Sequence, residues 1–170
     1  YIYNTLFING ENSDIVVKAL DREWNLHKLY LCQSPYFDSM FKGTNWKEST
    51  QTSIEIAIPD SNINERALFV AFGSFYKEEL EIMPMEAVNV LACASLFSLD
   101  GLISQCESIM IDNISAHTVL SYYDASLIYG VNEVTTKALK WLCNNIMINQ
   151  EIRLSEISSY LFEKVLASID

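Results

Sequence analysis

The residues that could perform chemistry in this chain are few and widely separated. An enzyme needs a nucleophile with a base, a metal site or a cofactor-binding loop. The two histidines, His27 and His117, are distant in sequence, and neither has a His or Cys neighbour at metal-ligand spacing. The five glycines are isolated, so no loop is available to cradle a phosphate. No serine lies in a Gly-x-Ser-x-Gly elbow. These patterns predict a non-catalytic binding module without metal or cofactor.

The cysteine thiols favour the same interpretation. No two of them are close enough for a Cys-x-x-Cys pair, and all lie in apolar helical segments: Cys32, Cys93, Cys106 and Cys143. We interpret them as buried, reduced thiols, which is typical of an intracellular protein. The sequence has no signal-peptide pattern and no run of 18 apolar residues, so we expect neither secretion nor a membrane span.

The net charge of the chain limits the kinds of molecule that it is expected to bind. The chain has 11 Lys and Arg against 22 Asp and Glu, a formal net charge of −11. Nucleic acids and anionic membranes are therefore excluded as expected partners, because both need clustered cations. Two interpretations remain, attraction of a basic protein surface or simple solubility. Half of the residues are apolar, which is typical of a globular domain.

Hydrophobic periodicity predicts strands first and helices later. Ile15–Val17 and Trp24–Leu26 flank a predicted polar turn at Asp21–Glu23 and indicate a hairpin. Ile54, Ile56 and Ile58 alternate with smaller or charged residues, as in a strand with one buried face. Tyr1–Ile8 is predicted as a short helix or an extended arm. This order is typical of an α+β core with a helical extension.

Two helix starts are clear in the sequence. Ser34 is a predicted cap, and Pro35 occupies the first helical position. An apolar face follows at Tyr36, Phe37, Met40 and Phe41, and Gly43 marks the end. Asn64 is the second predicted cap. Its helix has an apolar stripe at Leu68, Ala71, Phe72 and Phe75.

Trp46 is the best candidate for a binding residue. It lies in the polar linker 44–52, where periodicity gives no reason for burial. Glu48 follows two residues later, so both side chains point the same way if the segment is extended. The alternative is that Trp46 folds back onto the preceding helix.

Several of these residues, taken in order, resemble the BTB/POZ signature. The matching residues are Ser13-Asp14-Ile15, His27-Lys28, Ser34, Tyr36-Phe37 and Met40-Phe41. The resemblance extends over nearly the whole chain. It implies a BTB/POZ fold over residues 1–112, a small mixed sheet flanked by helices. It also implies an all-helical three-box and BACK extension over residues 113–170.

Members that recruit the cullin-3 scaffold have a hydrophobic-x-Glu motif after the Met-Phe helix. Trp46-Lys47-Glu48 matches that motif in type and place. The resemblance implies that Phe69, Phe72 and Tyr76 complete the docking surface for the cullin-3 N-terminal domain. It also implies that Tyr122, in the helical extension, belongs to this surface. Its neighbour Tyr123 is instead predicted to lie in the core. Such members are also homodimers. The implied dimer interface has Tyr3, Leu6 and Phe7 on the N-terminal segment, with Asp14, His27 and Lys28 nearby.

The resemblance therefore implies a substrate adaptor of a cullin-3 RING ubiquitin ligase. Its substrate would bind a C-terminal region of a longer parent protein. The amino-acid sequence resembles that of a branch of the family with a developmental role. This resemblance implies a nuclear or nuclear-envelope location. One alternative is a homodimeric scaffold or corepressor that does not bind cullin. A second alternative is an adaptor whose acidic surface binds a basic partner in a salt-sensitive manner.

Overall fold

The computed structural model describes residues 1–42, 51–148, 152 and 157–168. Two compact units are present, one comprising residues 1–82 and 89–103 and the other residues 83–88 and 104–170. Together they have the predicted α+β composition, with a small mixed sheet and many helices. The predicted domain boundary between residues 112 and 113 stays a prediction.

A three-stranded sheet lies in the first unit. Strand β1 (Ile15–Ala19) pairs antiparallel with β2 (Arg22–Leu26) and parallel with β3 (Ser53–Glu55), giving the order β2-β1-β3. Val17, at 0% exposure, lies between its partners Trp24 and Ile54. The predicted hairpin and the first-strand residues are thus confirmed. The third strand is shorter than the Ile54–Ile58 alternation indicates, because regular pairing ends at Glu55.

The hairpin turn differs from the predicted one by one or two residues. Leu20 and Asp21 form the turn with φ of +50° and +58°, and β2 begins at Arg22. Two consecutive positive φ values give the turn twist that matches paired antiparallel strands, so the chain re-enters the sheet at once. Asp21-Arg22-Glu23 was predicted as the turn because all three residues are polar, but Arg22 and Glu23 are exposed strand residues.

After the N-terminal segment, the described residues up to 112 include five α-helices. The segment itself, Tyr3–Ile8, is a π-helix. The others are α1 (Lys28–Leu31), α2 (Pro35–Lys42), α3 (Glu65–Gly73), α4 (Ala87–Leu96) and α5 (Asp100–Asp112). Both predicted caps are confirmed. Ser34 Oγ accepts from the Tyr36 N–H at 3.1 Å, and Asn64 Oδ1 accepts from the Ala67 N–H at 2.8 Å.

Stacked aromatic side chains form the centre of the first unit. Phe37, Phe72 and Phe97 are each 0% exposed. The ring of Phe97 lies 5.2 Å from that of Phe37 and 5.6 Å from that of Phe72. Ser34 Oγ donates to the Phe97 carbonyl at 2.5 Å, so a polar bond fixes α2 within this apolar region. Each buried Phe contributes on the order of 2 kcal/mol through its burial.

Three helices form most of the second unit, α6 (Val119–Tyr129), α7 (Asn132–Asn145) and α8 (Ser159–Leu166). Their shared core contains Val119, Tyr123, Ala138, Leu142, Ile146, Ile152, Leu161 and Val165. The apolar spacing of Val119, Tyr123 and Leu127 predicts that Leu127 lies on the buried face of α6, but it is 53% exposed. The buried face instead contains Ala125 and Ser126, and the Ser126 hydroxyl is satisfied by Thr135 at 2.7 Å.

Candidate protein-interaction surfaces

The predicted cullin-binding motif, Trp46-Lys47-Glu48, lies outside the described residues. The helix that precedes it, α2, is well anchored. Phe37 and Phe41 are buried, and the Lys42 ammonium pairs with Asp38 at 2.5 Å in the last turn of the helix. The side chain of Lys28 lies over the Phe41 ring at 5.6 Å. The motif therefore follows a helix whose position is fixed by packing.

Two of the predicted docking residues on α3 differ sharply in exposure. Phe69 is half-buried, and the guanidinium of Arg66 lies 5.6 Å from its ring centroid. Phe72 has no exposed surface and packs against Phe97 inside the unit. We therefore correct its assignment, since a fully buried side chain supports the helix from inside and does not contact a partner. The apolar stripe of this helix includes Phe72 and not Phe69, so periodicity indicates the buried face, and the docking role of Phe72 came from the resemblance alone.

Tyr76 links three segments through its hydroxyl group. It is 8% exposed. The hydroxyl accepts from the His27 backbone N–H at 3.1 Å and lies 3.0 Å from His27 Nδ1. His27 Nε2 lies 2.8 Å from the Glu11 carbonyl oxygen, which only accepts, so Nε2 carries the proton. In the neutral imidazole, Nδ1 then accepts from the Tyr76 hydroxyl. Burial raises the pKa of Tyr76 above its usual value, which keeps that hydroxyl protonated as a donor.

This network shows that His27 and Tyr76 are structural in the described chain. His27 is also buried at 8% exposure, so its predicted interface role is limited to a narrow exposed edge. The network joins the end of β2, the loop at Glu11 and the turn after α3. Sequence reasoning missed it because the two residues are 49 positions apart.

Tyr122, the docking residue predicted in the helical extension, is also buried. It is 2% exposed, and its hydroxyl donates to the Pro84 carbonyl at 2.8 Å within the second unit. Burial raises the pKa of its hydroxyl. We correct this assignment too, because the ring and its polar end are both occupied inside the unit. Tyr123 is 1% exposed, which confirms its prediction as a core residue.

The predicted dimer residues on the N-terminal π-helix differ in exposure: one is buried and anchors the segment, and two are partly exposed. Phe7 is 7% exposed and stacks on Tyr76 with ring centroids 5.4 Å apart. Tyr3 and Leu6 are half-buried. A Cβ atom at Gly73 would lie 3.2 Å from the rings of both Tyr3 and Phe7, so the missing side chain lets the segment approach α3.

Apolar residues beside these anchors face solvent. Tyr1 is 96% exposed, Ile2 46% and Ile8 50%. Sequence analysis did not select these three residues. Their apolar type at the edges of a predicted helix was the available signal.

Asp14 and Lys28, two residues of the implied dimer interface, are joined by a side-chain to main-chain hydrogen bond. Asp14 Oδ1 accepts from the Lys28 backbone N–H at 2.8 Å, at the start of α1. A carboxylate at a helix N-terminus is stabilising there, because the first N–H groups have no partner in the helix. This bond gives Asp14 a structural role in the single chain. Its role in a dimer stays a prediction.

Reactive and metal-binding groups contribute little to these surfaces. In the described ranges, no three His, Cys, Asp or Glu side chains are grouped so as to hold a metal ion. Cys93 and Cys106 are buried, as predicted, whereas Cys32 and Cys143 are half-buried. Burial raises the pKa of Cys106 to about 12. Among the described helices, none is long and apolar enough to cross a bilayer.

Comparison with known proteins identifies the class. Residues 3–114 match the BTB/POZ domain family, and the chain belongs to that family. Germ cell-less protein-like 1 of Homo sapiens is 50% identical over 169 residues, covering 99% of this chain and 33% of the relative. Protein germ cell-less of Drosophila melanogaster is 44% identical over 173 residues, covering 100% of this chain and 30% of the relative.

A relative with lower identity also contains a BTB domain by its name. Kelch repeat and BTB domain-containing protein 12 of Homo sapiens is 25% identical over 156 residues, covering 89% of this chain and 24% of that protein. The chain thus spans about a third or less of the curated relatives it matches. The family predicted from His27-Lys28 and Tyr36-Phe37 is confirmed, and within it the chain is similar to germ cell-less proteins.

Proposed function

We propose that this chain is the non-catalytic, homodimeric adaptor module of a cullin-3 RING ubiquitin ligase. One observation carries the proposal: in a BTB/POZ chain, the hydrophobic-x-Glu triplet Trp46-Lys47-Glu48 lies in the linker that follows the Met-Phe helix. A tryptophan is a suitable anchor because it buries a large area in one rigid side chain. The glutamate fixes its orientation through a charged contact.

Phe69 supports the proposal as a second contact. It is the residue of the predicted α3 set with a half-buried ring, and Arg66 beside it supplies a cation at the same surface. Tyr76 adds the narrow exposed edge of its ring. Phe72 and Tyr122 have no part in the proposed contact. We propose that residues 113–170 are the three-box and BACK segment, on the basis of the helices α6–α8.

Homodimerisation is proposed through the N-terminal segment. The exposed Tyr1, Ile2 and Ile8 and the half-buried Tyr3 and Leu6 supply an apolar surface beside the anchored Phe7. Two copies on one scaffold raise the effective concentration of the second binding event. We place substrate binding outside residues 1–170, since the curated relatives are about three times as long. A developmental role and a nuclear or nuclear-envelope location are proposed by similarity to the germ cell-less proteins.

The alternative is a homodimeric scaffold or corepressor that does not bind cullin. The burial of Phe72 and Tyr122 favours this alternative, because it removes two of the seven predicted docking residues from the surface.

Calorimetric titration with the N-terminal domain of cullin-3 separates the two functions. The adaptor proposal predicts submicromolar binding, about 8 kcal/mol or more. Trp46→Ala and Glu48→Ala are expected to weaken it, the first by more than about 2 kcal/mol, as for an interface hot spot. Glu78→Ala is the matched control, because Glu78 is an exposed carboxylate in the charged turn after α3. An absence of heat with a folded wild-type chain contradicts the adaptor proposal and favours the scaffold.

A further inference from the structure

The N-terminal π-helix contacts the ring that the proposed cullin site uses. Phe7 lies against Phe69 with ring centroids 5.1 Å apart and against Tyr76 with centroids 5.4 Å apart. Phe7 is itself buried, so its ring fills the space between the segment and α3. Tyr3 packs on Phe7 within the same helix, with ring centroids 5.2 Å apart. The position of the Phe69 ring therefore depends on whether this segment is seated on α3.

Phe69 also borders two notches, and the N-terminal segment lines both of them. One notch, of about 220 Å³, is lined by residues 7–10, residues 22–26 and Phe69. The other, of about 160 Å³, is lined by Tyr3 and by residues of α3 and the chain after it, including Phe69 and Lys77. A partner side chain that reaches Phe69 through either notch meets the segment as well.

Few contacts hold this segment in place. A Cβ atom at Gly73 would lie 3.2 Å from the rings of Tyr3 and Phe7, so both rings rest on the α3 backbone. Past the helix, the Glu11 carbonyl accepts from His27 Nε2 at 2.8 Å. The helix itself is a π-helix of six residues, a rare form that has little stability alone. Seating of the segment therefore depends on these contacts.

The two residues at the start of the segment are exposed and apolar. Tyr1 and Ile2 face solvent and line neither notch. In a single chain, these side chains give the segment no added hold on α3. In a homodimer formed through them, the second copy covers them and adds a contact that the seated segment makes. Dimerisation therefore favours the seated segment, because a partner shifts an equilibrium toward the state that it binds better.

We propose that the N-terminal π-helix couples dimerisation to binding at Phe69. Covering Tyr1 and Ile2 in the dimer holds the segment on α3, and the seated Phe7 ring fixes Phe69 and both notches for the cullin domain. Phe7 is a positioning residue, since it acts through Phe69. By linkage, binding of the cullin domain strengthens the dimer by the same factor. This inference rests on the proposed function, which supplies both contacts.

Calorimetric titration with the cullin-3 N-terminal domain tests the coupling. Tyr1→Asp combined with Ile2→Asp places two charges on the proposed dimer surface and should give the mass of one chain by light scattering. We expect this double variant to bind the cullin domain at least about fivefold more weakly than the wild type. Met147→Asp combined with Ile148→Asp is the matched control, because it charges another adjacent pair of exposed apolar residues. The control should remain a dimer and bind within about twofold of the wild type.

Phe7→Leu separates positioning from stability. In this background, the two N-terminal charges should change cullin affinity by less than about twofold, because the contact through Phe7 is already broken. Phe97→Leu is the control, since its ring packs on Phe37 and Phe72 in the centre of the unit. In the control background, the charges should still weaken binding at least about fivefold. Thermal melts confirm that each variant is folded at the temperature of the titration.

The outcomes distinguish this inference from the proposed function. A monomeric wild type, or a wild-type dimer that does not bind the cullin domain, contradicts both. If the wild type dimerises and binds, three results overturn the inference alone. These are equal affinity in the wild type and the monomeric double variant, a double variant that stays dimeric, and equal effects of the charges in the Phe7→Leu and Phe97→Leu backgrounds.

Discussion

The hydroxyl group of Ser34 is hydrogen bonded on both sides in a fully buried position. It donates to the Phe97 carbonyl at 2.5 Å and accepts from the Tyr36 N–H at 3.1 Å. The cap was predictable from sequence because it involves residues two positions apart. The bond to Phe97 was not, because its partners are 63 positions apart and meet only in the folded chain. The same limit applies to His27 and Tyr76.

Ser34→Ala is expected to lower the free energy of unfolding by about 1–3 kcal/mol. The change leaves a buried carbonyl and a helix N–H without their partner, and each loses its hydrogen bond without gaining water. Urea denaturation monitored by circular dichroism measures the difference. Ser39→Ala is the control, since the exposed Ser39 hydroxyl donates to the Tyr36 carbonyl in the same helix. Equal losses in the two variants would contradict the role of Ser34.

The buried thiol of Cys106 predicts that the free energy of unfolding depends on pH. Its side chain has no exposed surface, and burial raises the pKa of its thiol from 9.0 to about 12. Above pH 9 the unfolded chain loses this proton while the folded chain retains it. Stability from this group is therefore complete below pH 9 and falls as the pH rises toward 12, by about 1.4 kcal/mol per pH unit.

Cys106→Ala should flatten that dependence. We expect a smaller loss of unfolding free energy between about pH 8 and about pH 10.5 than in the wild type, by about 2 kcal/mol. Each protein is compared with its own value at neutral pH, which removes the cost of the smaller side chain. Parallel pH curves for the two proteins would show that Cys106 does not titrate as its burial indicates.

Two glycines lie at helix boundaries, one at the end of a helix and the other at the start of a helix. Gly130 interrupts the helical pattern of the sequence, which predicts a break there, and it ends α6 in the left-handed conformation with φ of +74°. The Asp100-Gly101 pair also predicts a break from sequence alone, but Gly101 lies in the first turn of α5. The chain actually turns at Ser98, whose φ is +54°. Glycine type alone did not separate a helix end from a helix start, because both positions permit it.

The two glycines are expected to respond oppositely to alanine. Gly130→Ala should lower the free energy of unfolding by about 1 kcal/mol, because the added Cβ is strained at positive φ. Gly101→Ala should raise it by about 0.5 kcal/mol, since a Cβ there meets no atom within 4 Å and the unfolded chain loses freedom. Thermal and urea melts of both variants measure the signs. Destabilisation by Gly101→Ala would contradict the helical assignment of that residue.

Buried faces were predicted well where apolar spacing was regular. The apolar stripe that runs from α3 into the turn after it is buried at Leu68, Ala71, Phe72 and Phe75, as the i, i+3, i+4 and i+7 spacing indicates. The face of α6 was less predictable, because apolar residues occur on several sides of that helix. Leu127 and Ile128 are exposed there, whereas Ser126 is buried. Phe72 and Tyr122 were placed on the predicted docking surface by resemblance to the family and not by periodicity, and both residues are buried.

At the scale of the whole molecule, the family assignment was predictable because an ordered set of residues serves the fold. Of these, Ser34 caps α2, Phe37 and Phe41 fill the core, and His27 bonds to Tyr76 and Glu11. The binding residues were less predictable. A surface that contacts a partner produces no periodic pattern in a single sequence. The prediction of Trp46-Lys47-Glu48 as a binding motif therefore depends only on the types and the order of these residues.

Light scattering on a sizing column tests the central claim most directly, with this chain alone and then with the cullin-3 N-terminal domain. A homodimeric adaptor has twice the chain mass of 19.4 kDa when alone. It is then expected to form a complex with two chains and two cullin domains, and Trp46→Ala should remain a dimer without cullin. A mass of 19.4 kDa for the chain alone, with no shift when cullin is added, would contradict the account.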